Sequence, residues 1–381
     1  MSSHALLSAS SAHRWINCPP SARLCEQMED RPSAYAAEGT DAHALCEHKL
    51  KAALGVPTQD PTPTLAHYDA DMEEHACGYA DYVLGRVEEA RRACADPVVL
   101  VEQRVDFSRW VEGGFGTADC VIVADGTLQV IDFKYGLGVL VDAKGNEQMR
   151  CYALGAMELF EGIYDIDRVS MTIYQPRRDH LSTETIGAAE LHGWAESVLR
   201  PAAELAIAGE GELSCGQWCG FCKVKATCRA RAEANLELAR HEFRLPSLLS
   251  DEDVEDILPK LDGLTSWASD IKDYALKRAL SGKEWAGFKV VEGRSNRRYV
   301  DDAAAAEAVS EAGFDPYEKR LLGITAMQKM LGKRRFDEVL GDLVEKPQGK
   351  PALVPLSDKR PPMNNAKDDF NDNDTEGANN G

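Results

Sequence analysis

The sequence predicts an α/β core with a helical front end and a mostly helical C-terminal region. Three observations lead there. β-Branched runs gather between residues 97 and 135, helical periodicity of three and four flanks them on both sides, and 44 % hydrophobic content in 381 residues is ample for a buried core. Residues 1–95 read as helices: AAEGTDAHALCEHKLKAAL has helical spacing, as does the stretch from Tyr68 to Arg92, and the Pro-rich VPTQDPTPT between them is a loop. The first of these helices is expected to begin just after Gly39 and Thr40. PVVLVEQRV, GTADCVIVA and TLQVIDF then read as three strands, the last two joined at Asp125-Gly126, a strong hairpin signal.

From Asn146 the pattern returns to helix, with Met149, Tyr152, Ala153, Ala156 and Phe160 at helical spacing. RVSMTIYQ is a further strand and residues 187–208 a further helix. A cysteine cluster and a charged helix over about 229–243 close this part. PSLLSDEDVEDIL carries a helix-start signal and a change of composition, which puts a boundary near 245. The organisation expected is a domain over 1–244, a mostly helical region over 245–345, and a disordered acidic tail over 346–381. Residues 364–381 carry one lysine against five carboxylates.

The formal charge is −20, with 63 acidic and 43 basic residues. Such a field repels phosphate and excludes a general polyanion-coating protein; nucleic acid would have to be met by local basic patches and metal ions. There is no run of about 18 apolar residues, so no membrane partner is expected. The N-terminal MSSHALLSASSAHRW lacks the charged start and apolar block of a secretion signal, and a cytoplasmic setting is expected.

GTADCVIVADGTLQVIDFKYG is the most informative stretch. Asp132 and Lys134 are two apart near a strand end and so share a face, and hairpin pairing can bring Asp119 alongside. Two carboxylates converging at a strand end suit Mg²⁺ or Mn²⁺, which prefer oxygen ligands. A lysine beside them can orient or deprotonate water, or neutralise charge developing on a phosphate. An isolated D-x-K on a hairpin is ordinarily a solvated pair; here it abuts apolar strands. Gln148 and Tyr152, four apart, share a helical face. His43 lies on the front-end helix, where a histidine is ordinarily structural but, when neutral, can ligate Mn²⁺ or Fe²⁺.

The order His43, Gly116-x-x-Asp119, Asp132-x-Lys134, Gln148-x-x-x-Tyr152, with Glu38-Gly39-Thr40 before His43, resembles the RecB-like branch of the PD-(D/E)XK nuclease superfamily. The resemblance runs over roughly residues 8–230. It implies a restriction-endonuclease-like core, a mixed sheet flanked by helices, and metal-dependent cleavage of DNA phosphodiesters. It further implies His43, Asp119, Asp132 and the Phe133 carbonyl as ligands of Mg²⁺ or Mn²⁺, and Lys134 as the catalytic lysine. Gln148 and Tyr152 become the helix residues beside the active site. Glu102, on the strand before the hairpin, is an additional candidate, with a surface ion pair as its alternative.

Cys215, Cys219, Cys222 and Cys228 fall within fourteen residues, and the other seven of the eleven cysteines are scattered. Clustered cysteines in a reducing compartment bind metal more often than they form disulfides, and scattered ones are mostly small buried hydrophobes. Two metal readings stand on spacing: all four hold a zinc ion, or a distant cysteine replaces one of them around an iron–sulfur cluster. Cys18, in SASSAHRWINCPPSARL, resembles the N-terminal cysteine segment of the iron–sulfur members of the RecB-like branch, the AddB-type and CRISPR-adaptation nucleases. The resemblance implies a 4Fe-4S cluster on Cys18, Cys219, Cys222 and Cys228, with Cys215 spare.

Candidate DNA contacts are Arg177 and Arg178 after RVSMTIYQ, and Lys223 and Lys225 in the cysteine loop; a further basic group is Arg294, Arg297 and Arg298. Trp15, Trp218 and Tyr174 are candidates for base stacking. The function expected is a metal-dependent DNA nuclease, an exonuclease acting on single strands or duplex ends. A phage or prophage origin, with a recombination or replication protein as partner, follows from the resemblance. The alternatives are an inactive nuclease-fold iron–sulfur factor that binds DNA or supports assembly, and a zinc-binding interaction protein.

Overall fold

The computed structural model describes residues 5–28, 34–241, 250–292, 300–317, 321–345 and 354. The chain divides into two compact units, residues 1–283 and 284–381. The acidic tail, apart from Val354, and the group Arg294, Arg297 and Arg298 lie outside the described residues.

The first unit is an α/β structure on one five-stranded mixed sheet, in the order β1 (Val98–Asp106), β2 (Phe115–Ala124), β3 (Gly126–Phe133), β4 (Ile166–Gln175), β5 (His180–Gly187). Strands β3 and β4 are parallel and the other neighbours antiparallel. The β2–β3 turn falls at the expected place, where Gly126 has φ +74°, a value open to glycine without steric cost. The parallel pair needs a crossover, supplied by α5 (Glu147–Phe160), whose first turn is capped by Asn146 accepting from the Met149 N–H.

Helices cover both faces. On one side lie α3 (Ala34–Ala53) and α4 (Ala70–Ala93), where Met72, Ala76, Tyr79, Val83 and Val87 form a stripe against Ile122, Ile131 and Phe133. On the other lie α1 (Ala12–Asn17), α5, α6 (Ala188–Trp194) and α7 (Arg200–Ala208), packing Trp15, Met149 and Leu154 on Val121, Val130 and Met171. The α2 helix (Ser21–Glu26) docks on α7 through Arg23, whose Nε donates to the Ile207 carbonyl at 2.8 Å.

Helix α3 is already under way at Ala34, so Gly39 and Thr40 lie inside it and not at its start. The Thr40 hydroxyl bonds back to the Ala36 carbonyl, which lets a poor helix former sit mid-helix. Strand β5 is not foreseen by the sequence. It is an edge strand rich in polar residues, held by Thr172–Thr183 hydroxyls 2.9 Å apart, and polar edges blunt the hydrophobic signature of a strand.

The first unit also runs past residue 244. Helix α8 (Arg229–His241) packs on α10 (Leu261–Leu280), and Asp270 on α10 receives Arg231 and Lys225 at 2.5 and 3.0 Å. Between them α9 (Asp251–Ile257) is capped by Ser250. In the second unit, α11 (Asp302–Glu311), α12 (Ile324–Leu331) and α13 (Lys333–Leu340) are helical as expected. Among the described residues no helix is long and apolar enough to cross a membrane.

Candidate active site and cysteine cavity

Sheet register assembles the first site. Strand β1 keeps one register with β2 on either side of Glu102, so Glu102 and Asp119 stand opposite each other between the pairs Val101–Cys120 and Gln103–Ala118; Asp119 and Asp132 follow the last β2–β3 pair, Cys120–Ile131. Three carboxylates therefore form a row across β1, β2 and β3. At this row the alternation of the strands changes phase. Val101 and Cys120 face the α3–α4 layer, whereas Val105 and Ala118, beyond the row, face the α5 layer. Glu102 is the pivot: its φ of +52° is left-handed, a conformation that costs a non-glycine residue about 1–3 kcal/mol and clusters at functional sites.

His43, from α3, closes the row. Its Nδ1 lies 3.3 Å from Asp119 Oδ1, and His43, Glu102 and Asp119 offer ligand atoms all within 4.8 Å of one another. The other Asp119 oxygen accepts the Phe133 N–H at 2.6 Å, so Phe133 enters the site through its amide. Asp132 is 2 % exposed, and the Lys134 ammonium lies 2.8 Å from its Oδ2, yet that buried oxygen accepts no aligned hydrogen bond. Lys134 donates to Gln148 Oε1 at 3.1 Å, and Gln148 Nε2 donates to the Tyr152 hydroxyl at 2.9 Å. The Tyr152 ring fits because position 116 has no side chain: a Cβ there would lie 2.6 Å from the ring.

The electrostatics follow from burial set against these charges. Burial disfavours a charged His43, but Asp119 outweighs it and raises the imidazole pKa to about 9. Burial would raise Asp119, but His43 and Lys134 hold it below the usual carboxylate range. At Asp132 burial wins over the pull of Lys134, with Asp119 adding to the upward shift. Burial also opposes the Lys134 ammonium, and Asp132 and Asp119 keep it charged, above its ordinary range. Burial and Asp119 lift Glu102 to about 7.

The donor set fits a hard divalent cation. It offers carboxylates, one imidazole and an under-satisfied buried carboxylate oxygen, with an excess of negative charge. Of the residues expected to hold the metal, His43 and Asp119 are in the close trio, Asp132 stands beside it with Lys134, and Glu102 takes the third place. Glu102 thus stands with His43 and Asp119, an arrangement that the sequence left open.

The second site joins the two ends of the first 230 residues. One small cavity is lined by Cys18, at the end of α1, and by Cys219, Cys222 and Cys228. Cys215 is exposed and does not line it. Ser214 bonds the Asn17 carbonyl, and turn hydrogen bonds from Cys219 N–H to Gly216 and from Cys222 N–H to Cys219 shape the loop. Among the described residues no three cysteine sulfurs fall within 4.8 Å of one another.

Sequence reasoning missed Cys25, taken there as one of the scattered thiols. Its sulfur is 3.8 Å from that of Cys222, a hydrogen bond that, with Arg14 nearby, pulls the Cys25 thiol down to about 5 while pushing Cys222 up. Cys46, Cys94, Cys120 and Cys151 are buried as expected.

The four basic candidates all have partners within the chain. Arg177 pairs with Glu38 at 2.9 Å and lies over the Tyr135 ring, and Arg178 donates to the Leu137 carbonyl. Lys223 donates to the Met28 carbonyl and Lys225 pairs with Asp270. Trp15 is 0 % exposed and its indole N–H bonds Ser8, so it is core and not a stacking surface. Tyr174 stacks on Phe133 within an aromatic cluster.

Among solved structures, the chain is similar to that in "Crystal structure of SSO0001", with 15 % identity over 49 % of this chain and 95 % of that one. The TM-score is 0.21, a value at which the likeness carries no argument. The family model described as "Protein of unknown function (DUF2800)" matches residues 4–361, and the chain belongs to that family.

Proposed function

We propose that this protein is a divalent-metal-dependent DNA nuclease of the RecB-like branch of the PD-(D/E)XK superfamily, an exonuclease acting on single strands or duplex ends. The observation that carries the reading is one convergence. His43 from α3, the carboxylate row from β1–β3, Lys134, and Gln148 and Tyr152 from α5 meet in a single hydrogen-bonded site. Residues of four separate segments, each unremarkable alone, meet where the motif order requires them to meet.

Glu102, Asp119 and His43 would hold Mg²⁺ or Mn²⁺, with Asp132 beside them. Such an ion, when bound, supplies Lewis-acid polarisation of a phosphate oxygen and an acidified water. The protein's own groups do the rest. Lys134, its ammonium favoured by Asp132 and Asp119, offers a positive charge to the charge that develops on the scissile phosphate. Gln148 fixes that ammonium: its carbonyl accepts from Nζ while its amide donates to Tyr152, which settles the orientation of the side chain. Tyr152, held against Gly116, keeps Gln148 from swinging away.

We further propose a 4Fe-4S cluster on Cys18, Cys219, Cys222 and Cys228, supported by the one cavity that all four line. Anaerobically purified protein is then expected to be brown and to contain iron; a colourless preparation with stoichiometric zinc would reverse this. Nuclease activity is tested with labelled single-stranded DNA and Mn²⁺. Degradation by the wild type supports the reading, and an inert wild type that still binds DNA supports an inactive nuclease-fold factor instead.

A further inference from the structure

Cys25 and Cys222 meet at the wall between two spaces. On one side is the small cavity lined by Cys18, Cys219, Cys222 and Cys228, and on the other a groove of about 650 Å³ lined by Cys25, Met28 and Lys223. Arg14 and Trp218 line both, so the two spaces adjoin. Cys25 does not line the metal cavity and is no further ligand there. Its sulfur instead touches that of Cys222, 3.8 Å away. Buried thiols ordinarily pack as small hydrophobes and stay inert. Two in contact, one of them lining an open groove, are placed to react with each other.

The contact is held from both sides. Cys25 lies in the last turn of α2, which Arg23 docks on α7, and Cys222 ends a turn closed by its own N–H bond to the Cys219 carbonyl. Lys223, next to Cys222, donates to the Met28 carbonyl at 3.2 Å and so ties the two segments beside the pair. A disulfide needs sulfurs about 2.05 Å apart, so these have less than about 2 Å to close, a distance within reach of side-chain rotation. The bridge would join residues 197 positions apart, the same two ends that the metal cavity joins. It would also withdraw Cys222 from metal ligation, which needs the free thiolate.

We propose that Cys25 and Cys222 form a disulfide in the metal-free protein, with a peroxide as oxidant, and that this bridge keeps the chain ends closed until a thiol reductant frees Cys222 again. The peroxide reaches Cys25 from the groove. The Cys25 sulfur attacks one peroxide oxygen; the S–O bond forms, the O–O bond breaks, and the departing hydroxide leaves as water with the thiol proton. The Cys222 sulfur then attacks the Cys25 sulfur; the S–S bond forms, the S–O bond breaks, and a second water leaves with the Cys222 proton. Two thiols thereby give two electrons to one peroxide. When Cys222 is bound to metal its sulfur is already engaged, and Cys25 stays a thiol. That protection rests on the proposed metal site; the bridge itself does not.

The full-length chain is freed of metal with a chelator under reductant, moved into thiol-free buffer, treated with hydrogen peroxide, alkylated and digested. Mass mapping is expected to find the Cys25 and Cys222 peptides joined, and separated by dithiothreitol. The oxidised chain should melt about 5 °C or more above the same chain in dithiothreitol, because the bridge closes a long loop of the unfolded state. Cys25→Ser and Cys25→Ala should lose that gain and keep the iron content and absorbance of the wild type. Cys222 found alkylated, or bridged to Cys219 or Cys228, overturns the proposal, as does an equal gain in midpoint without Cys25. Loss of the absorbance in both Cys25 variants makes Cys25 a metal ligand and overturns it too. A wild type purified without iron or zinc removes the cluster reading alone, since the mapping starts from the metal-free chain.

Discussion

At the carboxylate–lysine site the donors come from neighbouring strands, so ordinary β-pairing brings Glu102, Asp119 and Asp132 into one row. At the cysteine cavity the donors come from opposite ends of the first 230 residues, Cys18 before the first long helix and Cys219, Cys222 and Cys228 after the last strand and its helices. The first site uses hard oxygen donors with a net negative charge, the second soft thiols in an apolar shell. Sheet register is a property of the core and persists as long as the core does. A closure between residues about 200 positions apart depends on whatever bridges the gap, because loop closure of that length is entropically costly. The expected division of labour is chemistry at the first site and integrity at the second.

The largest effect should come from the first site. Asp132→Ala and Lys134→Ala are each expected to lower cleavage of labelled single-stranded DNA by at least about a hundredfold, with circular dichroism and thermal midpoint little changed. A similar loss of midpoint in both would erase the division. Next in size, Cys219→Ser and Cys228→Ser should lose the visible absorbance and lower the thermal midpoint by more than about 5 °C. Activity should then fall only as far as the folded fraction does.

A smaller effect, about tenfold, is expected for Gly116→Ala, because the new methyl would displace the Tyr152 ring and loosen Gln148; kcat should fall with KM unchanged. Smallest of all, Cys215→Ser should leave iron content and absorbance at the wild-type level, since Cys215 lies outside the cavity. Loss of the chromophore there would restore the four-cysteine zinc arrangement.

The two sites should also differ in their response to pH. In the metal-free protein His43 has a pKa of about 9 against 6.5 unfolded, so its stabilising charge is fully present below pH 6.5 and lost as pH rises through 9. Glu102 stands at about 7 against 4.5 unfolded, and its buried charge costs stability as pH rises from 4.5 to 7. Both shifts therefore lower metal-free stability over this window. A divalent ion must displace the same protons, so the rise in thermal midpoint on adding Mn²⁺ should be larger at about pH 8 than at about pH 6. Calorimetry at the two values measures it, and an equal rise would remove His43 and Glu102 from the ligand set.

Much of the first site was legible because it is built from short spacings. Asp132 and Lys134 share a face by strand period, Gln148 and Tyr152 by helix period, and Asp125-Gly126 fixes the hairpin that sets Asp119 beside Asp132. Glu102 was half visible: its φ of +52° and the phase change at the row belong to the twist of the β1–β2 pair, and a period-two reading contains no sign of it. The cysteine loop announced itself by spacing. Cys25 did not, because its approach to Cys222 depends on how α2 docks on α7, a long-range packing that no local pattern encodes. Strand β5 escaped for the opposite reason, since its polar edge hides the hydrophobic period. The charge runs misled most, for Arg177 and Lys225 are engaged by Glu38 and Asp270.

The row of carboxylates and Lys134 are proposed to form a metal-dependent phosphodiester-cleaving site. The most direct measurement is digestion of end-labelled single-stranded DNA with Mn²⁺ by the wild type, Asp132→Ala and Lys134→Ala side by side. The expected result is degradation by the wild type, abolished by chelator, and intact DNA with both folded variants. Equal degradation by all three, or an inert wild type with both metals bound, would contradict the claim.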